Sequence, residues 1–394
     1  MIPEVRRAFN AAWSEEKYQA VQAFLAAAVG YPPDFRICET PIFLPERLTG
    51  ELVAASSDIL ATLRSAAYQQ AAACAIPAGF AVPDESPHPT FLQIDFALAQ
   101  GDDGAVVPRL IELQGFPSLY GFQWLLDRAY RASYAIDPSF TTYFGDLDEQ
   151  SYIDVLRRVI VGDADPETVV LLEIEPEKQK TRIDFTVTER ELGVRAVAVT
   201  DVIERGGRLS YRAPGPSGMR EVPIRRLYNR VIFDEAERKG VPLDLFRRPL
   251  DVAWVGHPNW FWKISKFSLP FLKGPCCPEA AFVSDLAEIP PDLENYVLKP
   301  LYSFAGLGVE VNVTAERLSA LERPESYILQ RKVTYAPAIE TPDVPAKAEV
   351  RMMFVWEDEP VLINNLVRTT KGAMVGVDFN KDKTWIGASV AYHR

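Results

Sequence analysis

The side chains best placed to do chemistry are two carboxylates and two amides in Phe91 to Ser118, FLQIDFALAQGDDGAVVPRLIELQGFPS. A turn rich in Gly and Asp between two apolar runs is a hairpin signal. With the turn centred near Asp103 and Gly104, Asp95 falls opposite Glu112 and Gln93 opposite Gln114, because paired positions of an antiparallel hairpin share a face. Leu92, Ile94, Phe96 and Leu98 then form an apolar face on the other side. Like charges directly across a ladder repel, so the acid pair needs a reason to exist, and a divalent cation is one. Magnesium takes hard oxygen ligands, and Asp95, Glu112 and the amide oxygen of Gln114 are candidates for it. A solvated sheet face with an acidic turn accounts for the same residues, and the hairpin alone does not choose.

A second candidate lies two hundred residues later. Leu293 to Val313, LENYVLKPLYSFAGLGVEVNV, reads strand, turn, strand, with Lys299 ending the first strand and SFAGLG at 303–308 in the turn. Glycine lets backbone amides approach an anion, so this loop beside a lysine is a workable phosphate cradle, though a weak signal alone.

The elements that must position these groups follow from pattern. Residues 1–30 read as one or two helices stopped at Gly30, and a second helical stretch runs from about Glu51 to Cys74. GFQWLLDRAYRASY, after the hairpin, predicts a helix covering the hairpin's apolar face. VVLLEI (169–174), the helix KTRIDFTVTERELG and the buried strand VRAVAVTDV make a βαβ pattern, most simply a small parallel sheet. RLSYRAPGPSGMREVPIRRLYNRVIF adds a short hairpin and a further strand. No GxGxxG follows either strand of the βαβ unit, so a dinucleotide site has little support. Trp260, Phe261 and Trp262 read as core. SYILQRKV is another strand, VRMMFVWEDEPVLINNLVR gives two alternating strands carrying Arg351 and Arg368, and GAMVGVDFNKDKTWIGASVAYHR closes the chain as a strand-rich segment.

Composition narrows the classes. The 394 residues allow two or three structural units, and 48% hydrophobic content excludes a disordered chain. A formal charge of −12 argues against a general nucleic-acid or anionic-membrane binder. No apolar run approaches a bilayer span and the N-terminal pattern is not a secretory signal, so a cytoplasmic protein is expected. Cys38, Cys74, Cys276 and Cys277 lack CxxC spacing and the three histidines are scattered, which disfavours a structural zinc site and fits reduced thiols.

Taken together these pieces resemble the ATP-grasp superfamily, and in particular its circularly permuted, glutathionylspermidine synthetase-like branch. IDFALAQGDDGAVVPRLIELQGFPS is similar to the metal hairpin, YVLKPLYSFAGLGVEV to the lysine and glycine-loop strand, YILQRKV to the adenine hinge, and VRMMFVWEDEPVLINNLVR to the terminal strands with their arginine. The resemblance implies an α/β (α+β) fold: a helical region and metal-hairpin lobe over 1–150, a small α/β domain over 151–260, and the nucleotide-binding part over 261–394. It implies that ATP and Mg2+ are the cofactors. Asp95, Glu112 and Gln114 would hold magnesium. Lys299 would contact phosphates, Lys266 would match the family's earlier nucleotide lysine, the segment with Ser303, Gly306 and Gly308 would cover the phosphates, and Gln330 to Lys332 would flank the adenine. Arg368 would stabilise the transferring phosphoryl group. Gln114 stands where Asn is usual in that family, Gln93 where an arginine is usual, and the hinge QRK lacks a common glutamate.

The activity so implied is an ATP-dependent carboxylate-amine (or carboxylate-thiol) ligase working through an acyl-phosphate on small-molecule carboxylate and amine substrates, with no nucleic acid or membrane partner. No side-chain nucleophile is required, which suits a chain without a Cys-His or Ser-His-Asp arrangement. The excess of acids would favour a cationic amine such as a polyamine. The alternatives are a catalytically silent ATP-grasp scaffold, motivated by Gln93 and Gln114, and a small-molecule kinase. Asn380, Glu349, Arg351 and Asn365 are further polar positions that fit either a site or ordinary turns and strands.

Overall fold

The computed structural model describes residues 1–303, 306–372, 380 and 382–394. Its centre is a five-stranded antiparallel sheet whose strands run, in spatial order, Gly387–Ser389, Pro360–Thr370, Lys347–Trp356, Phe91–Gln100 and Val106–Gln114. The Phe91–Gln100 strand is buried on both faces for nine of its ten residues, so it is an interior strand rather than a solvated edge. Leu92, Ile94, Phe96 and Leu98 pack into one core with Leu48, Leu52, Ile59 and Leu63 of the helix Glu46–Arg64 and with Val350 and Met352 of the adjacent strand. That helix takes the place expected of Tyr120–Ser133. The latter instead packs on the opposite face, in a second core with Phe91, Met353, Val355 and Ile363, and Tyr120 donates to the Phe354 carbonyl at 2.7 Å.

The expected N-terminal helical region divides as Pro3–Ala12 and Glu15–Val29, with Ser14 capping the second helix and Gly30 ending it in the left-handed region. The helical stretch expected over 51–74 is broken by Ser65, whose hydroxyl accepts from the Tyr68 amide and starts a new short helix, Ala66–Ala72. A serine that satisfies a free helix-start amide competes with continuing the helix, which apolar spacing alone does not register.

The βαβ unit forms the expected parallel sheet, ordered Ala253–Val255, Arg226–Asn229, Val169–Glu173, Arg195–Ala198. Arg195–Ala198 is an edge strand, half-buried and shorter than expected, because the chain turns into a 3-10 segment at Val199. The Arg208–Gly215 and Gly218–Ile224 hairpin joins Ile203–Arg205 in a separate sheet. A third sheet pairs Tyr327–Arg331 between Ala280–Phe282 and Tyr296–Pro300. The strand expected after the glycine loop reduces to a single bridge between Leu298 and Glu310. Part of that loop (304–305) and part of the closing segment (373–379, 381) lie outside the described residues. Among the described residues no helix is long and apolar enough to cross a membrane.

Candidate functional site

The hairpin reaches the expected register by an unexpected route. Its turn is closed by the Gly101 amide donating to the Ala105 carbonyl at 2.7 Å, and Phe96 pairs with Leu110. Continued regularly, that register would set Asp95 opposite Ile111. A β-bulge there inserts Ile111 as an extra residue, so Asp95 pairs with Glu112 and Gln93 with Gln114. A bulge re-aims side chains locally, and this one turns both acids to one face. The next strands add Arg351, paired with Asp95, and Arg368, paired with Glu349.

Those cations engage the acids directly. Arg351 Nε donates to Asp95 Oδ1 at 2.6 Å and its NH2 group to Oδ2 at 2.7 Å, a bidentate fork, while NH1 donates to Gln93 Oε1 at 3.0 Å. Arg368 NH2 adds a bond to Asp95 Oδ2 at 2.5 Å and an ion pair with Glu349 at 2.8 Å. Tyr335 donates to the other Glu349 oxygen. Gln114 donates to Gln93 Oε1, and Gln93 donates to the Ser118 carbonyl at 2.7 Å. Burial pushes the Glu349 carboxyl upward and nearby Asp95 adds to it, against the pull of Arg368.

The late lysines meet this face from outside its sheet, Lys299 from the Tyr296–Pro300 strand of the third sheet and Lys266 from the 3-10 segment Lys266–Phe271. Lys299 Nζ donates to the Ile111 carbonyl, the bulge residue, at 3.1 Å. Lys266 Nζ lies 3.4 Å from Glu112 and donates to the Ser303 carbonyl at 2.5 Å. Burial depresses the Lys299 ammonium to about 8, with Lys266 adding to the fall and Glu112 resisting it. For Glu112 burial acts to raise the carboxyl, but Lys266, Arg368, Lys299 and Arg351 together outweigh it and hold it at about 2. The early acids and the late lysines thus lie in one cluster.

The remaining expected positions are more scattered. Gln330 shares the face of Lys299 on the third sheet, and its buried Nε2 has no partner among the described residues. Lys332 is exposed and donates to the Glu294 carbonyl. Gly306 and Gly308 adopt φ of 75° and 73°, and a Cβ on Gly308 would come within 3.1 Å of Pro300, so the loop folds back tightly on the lysine strand. Asn380 Oδ1 accepts from the Thr370 hydroxyl and the Lys371 and Gly372 amides, each at 3.0 Å, an organiser of its own turn. Asn365 ties two backbone segments together through Thr142 and Ala391.

A cavity of about 830 Å³ opens beside the cluster, reached by Glu112, Gln114, Arg351 and Arg368. Its far wall holds two buried groups that sequence reasoning missed. Glu173, at the end of the Val169–Glu173 strand, is pushed up to about 7 by burial, against Arg230. Arg230, directly after Arg226–Asn229, is 4% exposed, lies 3.6 Å from Asp184 and packs over Phe116 and Phe185. Both follow parallel strands at their carboxyl ends, where open α/β sheets place ligands, and that position was the available signal.

The residues fit a nucleotide's phosphates in part. Lys266 and Lys299 are buried, convergent cations, and Gln330 Nε2 is an orphaned donor on the same face. The slot bounded by Lys266, Ser303, Glu112 and Gln114 has only about 20 Å³, near the space of one water, so a phosphate beside Lys266 needs the slot to widen. They do not fit a resident magnesium. Asp95, expected as a ligand, has both oxygens committed to guanidinium groups, and Glu112 faces lysine. No group of three or more His, Cys, Asp or Glu suited to a metal occurs among the described residues.

Comparison with known proteins gives the class. Solved structures that match include a glutathione synthetase-like effector from Globodera pallida, in its apo form, with a TM-score of 0.58, 11% identity and 96% of each chain covered. The chain therefore has a mixed α/β (α+β) fold similar to that of this glutathione synthetase-like effector. No family model and no curated protein matches it.

Proposed function

We propose that the chain is an ATP-dependent carboxylate-amine ligase, of the permuted, glutathionylspermidine synthetase-like kind. The observation that carries this reading is the convergence of Lys266, Lys299, Arg351 and Arg368 around the acid hairpin, with Glu112, Arg351 and Arg368 also lining a substrate-sized cavity. Phosphoryl transfer is mostly positioning plus neutralisation of spread negative charge, and this set supplies both. An oxygen of a carboxylate in the cavity attacks the γ-phosphorus of ATP, and ADP leaves as the bond to the bridging oxygen breaks. Lys299 and Lys266 neutralise the phosphates and Arg368 holds the acyl-phosphate. The amine nitrogen then bonds to the acyl carbon, loses a proton and expels phosphate. Glu173 and Arg230, on the cavity lining, offer one carboxyl and one cationic partner, suited to a substrate carrying both an amine and a carboxylate.

A second reading, a nucleotide-binding scaffold without turnover, draws on the engaged Asp95 and the closed slot. Incubation with ATP, with and without magnesium, and mixed carboxylate and amine pools separates the two. ADP formation that requires both pools supports the ligase. Binding that never yields ADP with any pool supports the scaffold, and a phosphorylated acid as final product would mark a kinase.

A further inference from the structure

We propose that Arg351 stands where a divalent ion would stand, so that this sheet face receives the phosphate end of its ligand directly, with no metal bound to the free protein. The inference rests on the nucleotide reading above only for the identity of the phosphate donor.

Asp95, buried, and Glu112, half-buried, are paired across a ladder, which is unfavourable without a cation between strands. Such a cation is already built in. The guanidinium of Arg351 bridges Asp95 and Gln93 with three donors, in the fork geometry that matches a carboxylate. Magnesium demands near-ideal octahedral oxygen coordination. To bind here it would have to displace three charge-assisted bonds from Asp95 and a further donor from Gln93.

The charge count agrees. The cationic groups are Arg351, Arg368, Lys266 and Lys299, and the anionic ones are Asp95, Glu112 and Glu349, one positive charge in excess. A divalent cation would add to that excess, whereas an oxyanion relieves it. Donors are also left over: Arg368 Nε is buried with no partner among the described residues, and the Lys299 ammonium, which has three donors, makes one hydrogen bond, to Ile111. The chain is acidic overall, at −12, so a locally cationic patch is a property of this site and not of the surface at large.

The test uses the full chain and two probes. Manganese electron paramagnetic resonance on free protein, with equimolar manganese, is expected to show the aquo ion undiminished. Arg351→Met is expected to free Asp95 Oδ1 and Gln93 Oε1 of their guanidinium donors and create a bound-manganese signal, which the further change Asp95→Asn removes. If Arg351→Met does not fold, Arg351→Gln, which keeps a polar side chain, takes its place. Second, inorganic tripolyphosphate in EDTA is expected to raise the melting temperature as much as it does with magnesium. Stoichiometric manganese binding by the wild type, lost in Asp95→Asn, overturns the proposal, as does stabilisation that appears only with magnesium. Stabilisation by tripolyphosphate in EDTA without any by ATP keeps the metal-free anion site and removes the nucleotide reading. Stabilisation by ATP with magnesium alone does the reverse.

Discussion

Lys299 is a buried ammonium whose hydrogen bond among the described residues is to the bulge carbonyl of Ile111, and it is held at about 8 against an ordinary 10.5. A depression of that size corresponds to about 3 kcal/mol of disfavoured charge. Lys299→Met removes that cost and keeps the aliphatic packing. It also strips the Ile111 carbonyl of its donor, worth about 1–3 kcal/mol. The net expectation is a variant as stable as the parent or more stable by about 1 kcal/mol, roughly 1 °C for a chain of this length. The sign of the pH dependence is sharper. Between pH 8 and 10.5 the unfolded chain binds more protons at this residue than the folded one, so the parent gains stability as pH rises through that window. The variant's advantage should therefore be largest below pH 8 and should reverse by about pH 10.5, where the parent no longer carries the buried charge and keeps the Ile111 hydrogen bond, worth about 1–3 kcal/mol. Thermal melts across pH 7 to 10.5 measure it, and tripolyphosphate stabilisation should be lost in the variant at every pH. A variant that melts several degrees lower with an unchanging gap, or that keeps full anion stabilisation, would refute the assignment of Lys299 as a strained cation waiting for an anion.

Three further outcomes follow from the same coordinates. Asp95→Asn leaves Arg351 facing a neutral amide and should cost about 3–5 kcal/mol in urea unfolding, the range for breaking a buried ion pair; a cost near zero would mean that the Asp95 network is not formed in solution. Glu173, raised to about 7, should lose stability as pH rises from 4.5 through 7, by about 3 kcal/mol, because its buried form prefers the proton. Glu173→Gln should flatten that slope, and equal slopes for variant and parent would place Glu173 in water. Gly387→Ala would put a Cβ at 2.3 Å from the Arg36 carbonyl, at a φ of 117°; a loss of at least about 1–3 kcal/mol is expected, and a neutral result would show that the Gly387–Ser389 edge strand does not pack against Arg36.

What was legible in the sequence, and what was not, divides by the range of the information. The acid hairpin could be read because turn composition and a period of two are local. Its register came out right although the bulge at Ile111 was invisible: the estimated turn centre was half a residue off and the extra residue restored the pairing. The place of Tyr120–Ser133 was misread because an amphipathic pattern states that a face is buried, not against which partner, and Glu46–Arg64 occupied the expected position. Arg351 is the instructive case. In VRMMFVW it is one charge in an apolar strand, and only the pairing of Lys347–Trp356 with Phe91–Gln100 sets it beside Asp95 across 256 residues. The same Asp95 then changes meaning. Read with its hairpin partner it asks for a cation and suggests a metal; read with the neighbouring strand it already has one, and the face it occupies becomes a receptor for negative charge. That reversal is why the identity of the cation beside Asp95, and not the presence of acids, decides what this face can bind.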